Sequence, residues 1–104
     1  MYIPGYNNGK PSFIKVDDIL YISAERNDIR FHTHDYVYRP LASLQDYTEL
    51  LSSRGFEMLN KNHLVQVNKI LRYDRDKQVA LFDDESPSRG VHISRRNRFK
   101  IDRM

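Results

Sequence analysis

The 104 residues predict a mostly β domain. Three observations carry that expectation. Short apolar or alternating runs recur along the chain, each stopped by polar, turn-forming residues. Only one stretch, beginning at Leu44, repeats its apolar residues at helical spacing. The length suits a single domain with its own core, and hydrophobic (39%) and aromatic (12%) residues are abundant enough to fill one.

Residues 1–11 contain Pro4, Gly5, Asn7, Asn8, Gly9 and Pro11, and are expected to be a linker or the ragged start of a domain cut from something longer, with the domain itself over 12–104. Phe13 to Val16 is a short strand stopped by Asp17-Asp18. Ile19 to Ala24 is too short for a helix to be preferred, so a buried strand is expected. Glu25-Arg26-Asn27-Asp28 is a polar turn. From Ile29 the pattern alternates, with Ile29, Phe31 and Thr33 on one face and Arg30, His32 and His34 on the other. A turn near His34-Asp35 leads into Tyr36-Val37-Tyr38-Arg39 as the second arm of a hairpin, closed by Pro40.

Ser43 can cap a helix in which Asp46 lies near the positive end of the dipole. Leu44, Tyr47, Leu50 and Leu51 form its apolar stripe, and Gly55 is a natural stop. Ile70–Asp74 and Gln78–Asp83 follow as strands joined by Arg75-Asp76-Lys77. After the polar loop 84–90, Val91 and Ile93 alternate with His92 and Ser94 in a last short strand. Phe99 could anchor a short terminal helix.

Between the helix and those strands lies Gly55 to Ile70. Its apolar residues Phe56, Met58, Leu64, Val65, Val67 and Ile70 flank Asn60-Lys61-Asn62-His63, four side chains that can donate hydrogen bonds and carry at most a positive charge. Held at a surface, this island could face an acceptor-rich anionic partner such as DNA. An ordinary polar turn between two strands is the competing reading.

The formal net charge of +3 and pI near 9.3 lean towards a polyanionic partner. The distribution says more: Arg89, Arg95, Arg96, Arg98, Lys100 and Arg103 crowd the C-terminal end, while Asp83, Asp84 and Glu85 cluster apart. Mean hydropathy is -0.71, and no apolar run approaches the roughly 20 residues of a membrane span. With no secretory pattern at the start and no cysteine, a cytoplasmic protein is expected. There is no phosphate-binding loop, nucleophile elbow or zinc-protease motif. His32 and His34 could share a metal, but no third ligand is evident. Neither an enzyme, a metal nor a cofactor is expected. The seven tyrosines could stack single-stranded bases, although Tyr21, Tyr38 and Tyr47 sit in apolar patterns and fit a core better.

Four segments in register resemble one family. Asp18-Ile19-Leu20-Tyr21-Ile22-Ser23-Ala24-Glu25, Ser43-Leu44 followed by Gly55-Phe56, Asn60 to Ile70, and Ser94-Arg95-Arg96 are similar in order and spacing to the LytTR DNA-binding domain, over about Ile14 to Ile101. The resemblance implies an elongated stack of small antiparallel sheets, about ten strands in all, with one main helix and a short C-terminal one. It implies sequence-specific binding of double-stranded DNA as the output domain of a bacterial response regulator in a two-component system, with loops entering successive major grooves. It further implies paired direct repeats as targets, a possible homodimer on DNA, and an upstream receiver or sensor domain missing from this chain. The family's contact positions fall on Arg26, Asn27 and Asp28, on Asn60, Lys61 and Asn62, and on Ser94, Arg95 and Arg96. Side-chain chemistry agrees, since Arg can bridge guanine, Asn can pair with adenine, and Lys supplies a point charge. Departures from the family pattern are Gln66 for its usual Asn, Asn62 for its Ser, the acidic Asp28, and His34-Asp35 at the hairpin turn. Those at Asp28 and Gln66 leave open an alternative, a protein-interaction or regulatory module of the same fold that does not read sequence.

Overall fold

The apolar run Ile19–Ile22 is unbroken because the strand it enters is covered on both faces. In the computed structural model, which describes residues 1–26, 28–40, 44–83 and 90–101, ten strands surround that run. They are β1 (Tyr2–Asn7), β2 (Lys10–Lys15), β3 (Tyr21–Glu25), β4 (Asp28–His32), β5 (Val37–Pro40), β6 (Phe56–Asn60), β7 (His63–Gln66), β8 (Arg72–Asp74), β9 (Val79–Leu81) and β10 (Val91–His92). Seven form one sheet in the order β2-β1-β5-β4-β3-β7-β6, and three form a second, β10-β9-β8. Every pairing is antiparallel. The mostly β class with one main helix is what the sequence predicts. The dimensions are 39 × 29 × 27 Å.

Successive residues of β3 and β7 point to opposite faces, and each face has its own core. Ile22, Phe31 and Leu64 belong to one, with Ile3, Ile14, Tyr47, Leu51 and Phe56. Leu20, Tyr21 and Val65 belong to the other, with Leu59, Ala80, Phe82, Val91, Ile93 and Ile101. Helix α1 (Leu44–Leu51) covers the first face, where Tyr47 meets Phe31 edge-on at 4.7 Å. Leu51 is fully buried, whereas Leu50, expected in the same stripe, is 45% exposed. Gly55 ends the 3-10 turn after the helix at φ 82°, a left-handed conformation suited to glycine. The expected cap Ser43, the side chain of Leu44 and residues 84–89 lie outside the described residues.

Two expectations are corrected. Residues 1–11 are not a linker up to the domain: Tyr2–Asn7 and Lys10–Lys15 pair through six residues as an antiparallel hairpin. The turn is Asn8-Gly9, with φ 53° and 78°, the conformation that matches the twist of a two-residue hairpin. Pro11 is accommodated because β2 lies at the sheet edge. The second correction is Phe99, which is 56% exposed, while Ile101 is buried. The segment Arg95–Lys100 is a 3-10 helix, so residues three apart share a face and Arg98 and Ile101 turn inward.

Candidate nucleic-acid interface

Strands β6 and β7 form a hairpin whose tip is Lys61-Asn62. The pairing slips between Met58 and Asn60, so that Asn60 rather than Leu59 stands opposite His63. Such a bulge re-aims side chains. Leu59 drops fully into the second core, and Asn60 faces the tip. Its Oδ1 accepts from the Asn62 N–H at 2.7 Å and lies 2.9 Å from His63 Nδ1. Its Nδ2 donates to the His92 carbonyl, across 32 positions of sequence, at 2.6 Å. The tip is fastened on its other side by the Ala24 N–H, which donates to the Asn62 carbonyl at 2.7 Å.

The bulge also receives the C-terminal segment. Ser94 donates to the Leu59 carbonyl through both its N–H (2.9 Å) and its Oγ (3.3 Å). Lys100 Nζ donates to the Met58 carbonyl at 2.8 Å. These bonds cover the outer edge of β6, which would otherwise present unpaired backbone. Asn97 Nδ2 donates to Ser94 Oγ at 2.7 Å. The result is an open cleft lined by Met58, Asn60, Lys61, Ser94, Arg96 and Asn97. Lys61, Arg95 and Arg96 are exposed.

The turn between β3 and β4 lies at the same end of the sheet, because Ala24 contacts the hairpin tip directly. Arg26 is exposed and takes φ 57°, a left-handed conformation that costs a non-glycine residue about 1–2 kcal/mol. Such strain concentrates at functional sites. Asp28 is paired with Arg30 at 3.0 Å and Arg39 at 3.4 Å, so its charge is offset within the protein. Asn27 lies outside the described residues. The described candidates from all three segments therefore gather at one end: Arg26 and Asp28, Asn60, Lys61 and Asn62, and Ser94, Arg95 and Arg96. Within that set, the side chains of Asp28, Asn60 and Ser94 are engaged by the protein itself, as is the backbone of Asn62.

Sequence reasoning did not single out Arg30 or Arg39 as part of this surface. Arg30 carried a signal, lying two residues from Asp28 on the polar face of an alternating strand. Arg39 carried none, because its place beside Asp28 depends on the pairing of β5 with β4. Gln66, a departure from the family pattern, is buried, and its Nε2 donates to the carbonyls of Ile19 (2.7 Å) and Val16 (3.3 Å). It ties β7 to the turn before β3.

Burial holds His63 below the usual histidine range; Glu25 opposes this shift and His92 adds to it. His32 stacks on Tyr21 at 4.3 Å with its Nε2 2.9 Å from Ser23 Oγ, and His34 faces Asp83 at 3.9 Å. Among the described residues no three histidine, aspartate or glutamate side chains gather to hold a metal ion. No helix among them is long and apolar enough to cross a membrane.

The chain is a strand-built domain that gathers cationic and amide side chains on loops at one end. The family model described as the LytTr DNA-binding domain matches residues 10–104, and the chain belongs to that LytTR family. It is similar in fold to a solved LytTr DNA-binding domain from Bacillus cereus, with 16% sequence identity, a TM-score of 0.78, and coverage of 98% of this chain and 94% of that one. No curated protein sequence matches it. The family is one of DNA-binding domains and not of enzymes.

Proposed function

We propose that this chain is the sequence-specific, double-stranded DNA-binding output domain of a bacterial transcription regulator, working in the cytoplasm. Its β3–β4 turn, β6–β7 tip and Ser94–Arg96 segment would approach the duplex together from one side, with the cleft of Lys61 and Arg96 facing a major groove. One observation carries the reading: these segments, far apart in sequence, meet at one end of the sheet with Lys61, Arg95 and Arg96 exposed there. Phosphate neutralisation supplies the affinity of such a surface and base edges its specificity. Paired direct repeats as targets, a homodimer formed on DNA and an upstream receiver or sensor domain complete the proposal.

The departures that favoured an interaction module have physical accounts of their own. Asp28 is neutralised by two arginines, and Gln66 serves the core. Neither leaves that alternative a specific observation.

Selection from a randomised duplex library near physiological salt tests the proposal. A short enriched motif, repeated at about one helical turn, is expected. Affinity for it should fall by about 0.9 log units per phosphate contact per decade of salt. Retention of no motif, or tighter binding to single strands than to duplexes, would sink the reading.

A further inference from the structure

We infer that Asn60 is a positioning residue rather than a base reader, and that base readout in the cleft falls to Lys61 and Arg96, whose shared preference is guanine. The inference rests on the duplex-DNA reading above and assigns its parts.

Pairing of an asparagine with adenine uses both its amide oxygen and its amide nitrogen. At Asn60 both are engaged: Oδ1 with the Asn62 N–H and His63 Nδ1, Nδ2 with the His92 carbonyl. A backbone N–H can only donate and a backbone carbonyl can only accept, so the amide has one orientation. His63 Nδ1 must then carry the proton it gives to Oδ1. Ser94 is committed in the same way, donating to the Leu59 carbonyl and accepting from Asn97. Of the polar side chains lining the cleft, Lys61 and Arg96 alone have no hydrogen bond or ion pair among the described residues.

A lysine or arginine in a major groove pairs with guanine O6 and N7. Lys61 follows Asn60 in the chain, and Arg96 lies two residues after Ser94, which is bonded to Leu59. Two adjacent residues of β6 thus set the separation of the two cations. The guanines they read should stand at one fixed spacing.

The test is parallel selection from a randomised duplex library with the wild-type domain, Lys61→Ala and Asn60→Ala. Wild type should enrich two guanine positions at constant spacing. Lys61→Ala should release one of them. Asn60→Ala should weaken both together, each losing on the order of tenfold in guanine preference. Loss of an adenine preference at one position in Asn60→Ala, with both guanines retained, would overturn the inference and leave the DNA reading standing. Absence of any motif with wild type overturns both. Should Asn60→Ala not fold, nitrogen-15 NMR of the wild-type domain decides. On addition of the selected duplex, the Asn60 side-chain amide should stay protected from exchange and His63 should keep its Nδ1 proton. Release of either overturns the assignment.

Discussion

The two hairpins at β1–β2 and β6–β7 both close in two residues, by opposite means. Asn8-Gly9 closes the first through backbone conformation alone, both residues having positive φ, and a side chain added at Gly9 would meet nothing within 4 Å. Lys61-Asn62 has no positive φ. That tip is held by a bulge, by the side chain of Asn60, and by bonds to β3 and to the end of β10. The first hairpin's geometry is local, so its turn can change without consequence elsewhere. The second is a tertiary object, and what happens at its base is felt in the cleft.

The largest expected effect breaks the second hairpin at its base. Leu59 is fully buried at the bulge, and Leu59→Ala should cost about 2–5 kcal/mol. It should also disturb Ser94, which hangs on the Leu59 carbonyl. Urea unfolding and an amide NMR spectrum check both parts. Loss of stability with the Ser94–Arg96 resonances unmoved would show the tip and C-terminal segment to be independent.

Arg96→Ala should separate function from folding. Binding to a selected duplex should weaken by about 1–3 kcal/mol with relaxed specificity at one base, while the urea midpoint stays where it was. Fluorescence anisotropy with matched and mismatched duplexes measures this. Unchanged affinity and unchanged base preference would remove Arg96 from the interface.

Gly9→Ala is the counterpart in the first hairpin. Its φ of 78° predicts a loss of about 1–2 kcal/mol in stability. DNA affinity should be unaltered under conditions where the domain is folded. A matching fall in affinity would mean that the local hairpin is coupled to the cleft after all.

The smallest effect is one of pH. Burial lowers the pKa of His63, so the folded protein favours its neutral ring and unfolding takes up a proton between the folded value and the ordinary one near 6.5. Stability should therefore fall as pH drops through about 6.5 towards the folded value, and His63→Gln should flatten that part of the profile. Chemical denaturation at a series of pH values measures it, and identical slopes for the two proteins would contradict it.

The comparison also explains what was legible in the sequence. Alternation along Ile29–Thr33 and the helical spacing of Tyr47 and Leu51 are short-range patterns, and they correctly assign faces. Asn8-Gly9 is equally local and a strong hairpin signal, but the prolines around it suggested a linker. The position of Pro11 on an edge strand, which makes it harmless, appears only once the sheet order is known. The bulge at Leu59 leaves no local trace, since another apolar residue in β6 looks like ordinary alternation disturbed. The partner of Asn60 is a backbone carbonyl, which carries no residue type to recognise. Resemblance to the family could find the contact segments. It could not tell which side chains in them face outward and which hold the others in place.

The clamp at Asn60 has a thermodynamic consequence. Ordering the backbone costs roughly 1–2 kcal/mol of conformational entropy per residue, whenever it happens. For Lys61 and Asn62 it happens on folding, because the bonds that hold them are internal. A partner that meets the tip finds its backbone already in shape and gives up binding free energy only to order the exposed side chains.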